Sequence, residues 1–72
     1  MKPYIVQNVR MKSAAGYYLG SIQFEGEDAC PYDRDSLYYP SEEHLKFDYP
    51  NSISEEEAFQ RAIYLNKYKK VD

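Results

Sequence analysis

Seventy-two residues with nine tyrosines, three phenylalanines, no tryptophan and a net charge of −3 make at most one small domain. A chain this short buries only about 60% of its unfolded surface, which leaves little stability to spare. Buried aromatics, each removing on the order of 150–250 Å² from water, can compensate for a small core, and oligomerisation, here as a homodimer, is the other usual remedy.

The charge is divided along the chain. Residues 1–24 carry Lys2, Arg10 and Lys12 and no acid. Residues 25–57 carry eleven acids against Arg34 and Lys46, and residues 58–72 are again mildly basic through Arg61, Lys67, Lys69 and Lys70. A strongly acidic middle thus lies between two basic ends.

Met1 to Asn8 contains no long apolar run, and no stretch of about 18 apolar residues occurs anywhere. The expectation is a cytoplasmic protein without signal peptide or membrane span. Pro3 to Arg10 reads as a strand, β-branched and aromatic at Tyr4, Ile5, Val6 and Val9. Met11 to Gly16 supplies a turn, with Gly16 free to take a positive φ. Tyr17 to Glu25 is a second, antiparallel strand. It sends Tyr18, Ile22 and Phe24 to one face, and Tyr17, Leu19, Ser21, Gln23 and Glu25 to the other. Gly20 within it suggests a bulge or a close approach by a helix.

Gly26 to Ser36 is polar, acidic and interrupted by Pro31, the signature of a surface loop. Its Cys30, the only cysteine, excludes an intrachain disulfide and a Cys/His structural zinc site, and fits a reducing compartment. Arg34, between Asp33 and Asp35, is expected to order the loop through local ion pairs. Leu37-Tyr38-Tyr39 reads as a short strand stopped by Pro40. The next segment is ambiguous. Leu45-Lys46-Phe47-Asp48-Tyr49 alternates apolar and charged residues, which favours a strand at 44–49 after a turn at 40–43. Ser41 followed by Glu42 and Glu43 resembles a helix start, so a short helix is the alternative.

The helix at 54–69 is the clearest element. Ser54 and Glu57 stand in capping-box relation, Glu55, Glu56 and Glu57 occupy the first turn, and lysines gather near the other end. Ala58, Phe59, Ala62, Ile63 and Leu65 form its apolar arc. The expected fold is therefore α+β: a small antiparallel sheet of two to four strands, begun by an N-terminal hairpin, packed on one C-terminal helix.

No arrangement of residues points to catalysis. Nothing in their spacing pairs His44 with Cys30. Glu25, Glu27, Asp28, Asp33 and Asp35 lack the periodicity and glycine of a calcium loop. The glutamate run at 55–57 is explained by the helix dipole, and glycine-rich phosphate loops are absent from the sequence. No enzyme activity, cofactor or metal is expected.

The tyrosines carry the functional expectation. Tyr17-Tyr18 and Tyr38-Tyr39 place one ring on each face of a strand, and tyrosine is enriched at interface hot spots. A docking face for another protein would comprise Tyr17, Tyr32, Tyr38, Tyr39 and Tyr49, with Glu27, Asp28, Asp33 and Asp35 beside it. Ordinary cross-strand tyrosines are the plainer reading. Two alternatives use the same residues. In one, exposed tyrosines stack on single-stranded bases between the basic ends; in the other, the carboxylates imitate a nucleic-acid phosphate array.

Gly16-Tyr17-Tyr18-Leu19-Gly20, together with Pro31-Tyr32-Asp33-Arg34-Asp35-Ser36, Tyr38-Tyr39, Ser41 and Glu43, resembles a pattern in small uncharacterised phage and prophage proteins, over about a third of the chain. In that pattern an alanine follows Ser-x-Glu-Glu and opens a helix; His44 and Leu45 depart from it. The resemblance implies an accessory protein that binds host machinery.

Overall fold

The computed structural model describes residues 3–26 and 28–69, with 64–69 described by backbone alone. Strand β1 (Tyr4–Ser13) folds back through Ala14-Ala15 into β2 (Gly16–Glu25), so the hairpin is longer and its turn tighter than the sequence suggests. Gly16 takes φ 134°, a conformation that L side chains rarely adopt.

The β1–β2 register contains one irregularity that decides the core. Val6 faces Ile22 and Val9 faces Gly20, so three steps along β1 match two along β2. The surplus is absorbed at Gln7-Asn8, where Asn8 sits at φ 61°, a left-handed conformation that asparagine tolerates better than most residues. Strict alternation would put Val6 and Val9 on opposite faces. With the bulge, Tyr4, Val6, Val9 and Met11 share the face of Phe24, Ile22 and Tyr18. These residues, with Ile53, Ala58 and Ala62, form the hydrophobic cluster.

Strand β3 (Asp28–Arg34) pairs antiparallel with β2 where a loop is expected. Pro31 disrupts no ladder on its free side, which is why an edge strand accepts it. A second bulge falls between Gly20 and Ile22. There a Cβ on Gly20 would lie 2.3 Å from the Asp33 carbonyl oxygen and 2.8 Å from the Tyr18 ring. The close approach to Gly20 thus comes from β3 and a neighbouring side chain, not from a helix.

After β3 the chain follows β2 irregularly. Asp35 donates to the Leu19 carbonyl (2.7 Å), and Tyr17 and Tyr39 exchange backbone bonds of 2.9 and 2.6 Å as a single bridge in place of the expected strand at 37–39. Residues 42–48 form helix α1 (Glu42–Asp48), not the favoured strand. The Ser41 hydroxyl accepts from His44 N–H, and Glu42 and Glu43 occupy the first turn. Those two signals outweigh the alternation, because the helix turns Leu45 wholly inward and leaves Phe47 83% exposed.

A two-residue strand, β4 (Ile53–Ser54), runs parallel to β1 and leads into α2 (Glu55–Lys69). The sheet, ordered β3-β2-β1-β4, is therefore mixed rather than purely antiparallel, and two helices accompany it rather than one. Helix α2 lies against β1 and β4, while α1 lies against β2 and β1. Leu19 and Leu45 are buried outside the main cluster, on the second face.

The Ser54 hydroxyl accepts from Glu57 N–H (3.0 Å), as the capping motif requires. The buried stripe of α2 is narrower than expected. Ala58 and Ala62 are buried, but Phe59 is 43% and Ile63 59% exposed. Two alanines one turn apart let the helix sit close to the sheet, which moves the larger flanking residues to the rim. Phe59 still meets the edge of Phe24, with ring centroids 5.1 Å apart. Leu65, at the end of the expected arc, lies outside the described side chains.

These burials set an order of stabilities. Leu45→Ala removes the inward anchor of α1 and is expected to cost about 2–5 kcal/mol. Phe59→Ala should cost about half of the 3–5 kcal/mol typical of a fully buried ring. Urea denaturation of both variants checks this, and a larger loss for Phe59→Ala would contradict the packing described.

Candidate functional site

All seven residues of β3 are exposed, and the strand's outer edge carries no partner among the described residues. Tyr32, Leu37 and Tyr38 expose large apolar surface along β3 and the segment after it. Tyr38 packs edge-on against Tyr18, at 5.7 Å. Arg34 lies over the Tyr38 ring at 4.8 Å and donates to the Ser36 carbonyl at 2.9 Å. Arg34 is therefore ordered by an aromatic ring and a backbone oxygen, not by ion pairs with Asp33 and Asp35. Cys30, exposed on the same strand, is not a buried thiol.

The five tyrosines expected on one face are divided. Tyr38 joins Tyr18 on the α2 side. Tyr39 sits with Tyr49 (6.3 Å) and His44 (5.2 Å) beside α1, and Tyr17 is bridged to Tyr39 through the backbone. Tyr32 stands apart on the open strand. Of the acids, Asp28 pairs with Glu25 across the strands, and Asp33 N–H is held by the Ser21 hydroxyl at the second bulge. Asp35 begins the irregular stretch; Glu27 lies outside the described residues.

A second cluster was not legible in the sequence. The Tyr39 hydroxyl donates to the Asp48 carboxylate at 2.8 Å. That bond, then burial, then the Asp48 charge and the neighbouring Tyr49 push the Tyr39 pKa up to about 12. Next to it, an open cleft of about 320 Å³ is lined by Asn8, Leu19, Asp48, Tyr49, Pro50, Asn51 and Ser52. The spacing of His44 and Asp48, one helical turn apart, is the sequence signal for one shared side of α1. It becomes visible only once 42–48 is read as a helix.

Arg10 connects the second face to the rest. It donates to the Ser52 carbonyl (2.6 Å), the Ser52 hydroxyl (2.9 Å) and the Glu42 carboxylate (3.1 Å), with its own side chain only 9% exposed. Lys12 lies 5.7 Å from the Tyr17 ring centroid, and its backbone N–H donates to Glu55. Two basic residues of the N-terminal end are thus engaged within the fold. Lys2 and Lys70, and the side chains of Lys67 and Lys69, lie outside the description.

Among the described residues, no group of three His, Cys, Asp or Glu side chains is placed to hold a metal ion, and no helix is long and apolar enough to cross a membrane. No family model, curated protein or solved structure matches the chain.

Two measurements follow from these contacts. Because folding raises the Tyr39 pKa above the unfolded value near 10, its bond to Asp48 stabilises the fold fully below pH 10, and that contribution disappears as pH rises through about 12. Ultraviolet titration of the phenols should show a late-ionising tyrosine that Asp48→Asn brings back toward 10. Arg10→Ala should cost about 1.5–3 kcal/mol, because a charged donor leaves a partly buried backbone oxygen unpaired. Glu42→Ala should cost about 0–1 kcal/mol, since Glu42 is half exposed. Equal losses in urea melts would show that the ion pair, not the Ser52 contact, is what matters.

Proposed function

We propose that the chain is a non-enzymatic protein-interaction module that holds its partner along β3 and the 35–39 stretch. The observation that carries this reading is that all seven residues of an edge strand are exposed in a molecule with little core. Tyr32, Leu37 and Tyr38 supply apolar contact area at low entropic cost, and Asp28, Asp33 and Asp35 add carboxylates along the same stretch of chain. The partner is accordingly a protein with basic residues beside an apolar patch. Pro31 offers no N–H, so contact runs through side chains more than through an added strand. The resemblance to phage and prophage proteins fits an accessory role of this kind, directed at host machinery.

Affinity capture with the tagged full chain tests the proposal. Tyr32→Ser with Tyr38→Ser should weaken capture by about 30-fold, corresponding to about 2 kcal/mol at a hot spot, while leaving the melting transition in place. Asp33→Lys with Asp35→Lys should act in the same direction. Phe47→Ser, at an exposed residue of α1, serves as the control and should capture normally. Capture unaffected by the β3 changes, or capture of nucleic acid in place of protein, would overturn the reading.

A further inference from the structure

We infer that the cleft between the β1 bulge and the α1–β4 connection is a binding site for a small organic cation, an alkylammonium or guanidinium group. This site is separate from the β3 edge and does not depend on the reading given to that edge.

Three observations converge on it. Asp48 lines the cleft, and its carboxylate is held by a neutral donor, the Tyr39 hydroxyl. Its position is therefore fixed, and among the described residues it takes part in no ion pair. The ion pair found among the described residues, Arg10 with Glu42, leaves Asp48 out, and Arg10 reaches the cleft wall through Ser52 alone. The remaining lining suits the same guest. Asn8 and Asn51 carry side-chain oxygen acceptors, Tyr49 carries an aromatic ring, and Leu19 and Pro50 carry apolar surface for an alkyl stem, while the Ser52 oxygens are already taken by Arg10.

Size and charge narrow the ligand. A volume of about 320 Å³ stands at the small end of ligand sites, which run from about 300 to 1,000 Å³. It accommodates one amine or one side chain, not a nucleotide, and the carboxylate disfavours anions. Asn8 contributes through its strained backbone: the left-handed residue that corrects the β1 register also lines the cleft. Site and core are thus built by the same bulge.

The shared chemistry has two sources, a free amine or the Lys or Arg side chain of a peptide. Amide chemical shifts of the full-length chain, titrated at neutral pH with 1,4-diaminobutane and separately with N-acetyl-arginine amide, distinguish them. Saturable shifts at Asn8, Asn51 and Ser52 with either probe support the site, and the tighter probe identifies the source. Asp48→Asn should weaken binding by at least about tenfold. Asn51→Ala, which leaves the Tyr39–Asp48 bond untouched, should weaken it to a smaller degree. Absence of saturation up to about 10 mM, shifts confined to Asp28 and Asp33, or unchanged binding by Asp48→Asn would overturn the inference.

Discussion

One extra residue in β1 keeps the core on one side of the sheet. Side chains on a strand alternate, so Val6 and Val9 belong to opposite faces unless the register slips once between them. The bulge at Gln7-Asn8 provides that slip, and Val6, Val9 and Met11 then meet Ile22, Phe24 and Tyr18 in one cluster. A chain of this length has few apolar residues to lose. Total stability for a domain this size is about 4–11 kcal/mol, and placing Val9 and Met11 on the wrong face would remove much of it. The left-handed Asn8 is a local strain accepted for that return.

The two faces are then held by different physics. On one, α2 brings two alanines against β1 and β4, and burial is apolar and close. On the other, α1 is anchored by Leu45 and held by Arg10 to Glu42, by Tyr39 to Asp48 and by the Tyr39 ring against His44, while Arg10 ties the following Ser52 to the same face. A helix of seven residues cannot stand alone, so these bonds do for α1 what length does for α2. Burial also falls on Tyr18, whose phenol is pushed above its usual pKa first by desolvation and then by Tyr38 and Glu55. Its ring closes the end of the apolar cluster beside Tyr38.

Much of this was legible in the sequence where a signal was strong and local. The face taken by Tyr18, Ile22 and Phe24, the Ser54 cap, and the positive φ of Gly16 all follow from side-chain period and backbone sterics. What was missed depended on neighbours. Pro31 and five charges read as a loop at 26–36, because a sequence does not reveal that a segment has a partner on one side only. The alternation at 45–49 imitated a strand, although Leu45 alone turns inward. Helical period assigns Phe59 and Ile63 to the core, but period fixes an arc and not its centre; the small size of Ala58 and Ala62 fixes the centre. The cation cleft draws on Asn8, Asp48 and Asn51, which meet only after the bulge and α1 are in place.

The exposed edge of β3 poses a physical problem that the chain answers locally. An open strand invites uncontrolled pairing with other copies. Pro31 removes a donor from the strand, the bulge opposite Gly20 breaks its regularity, and Asp28, Asp33 and Arg34 place charges along it. Each feature weakens main-chain addition and leaves side chains intact. Tyr32 and Tyr38 then remain as the means of contact, because a ring can bury area without a continuous ladder of backbone bonds. An edge protected in this way favours a partner chosen by side-chain shape and charge over one admitted by the backbone alone.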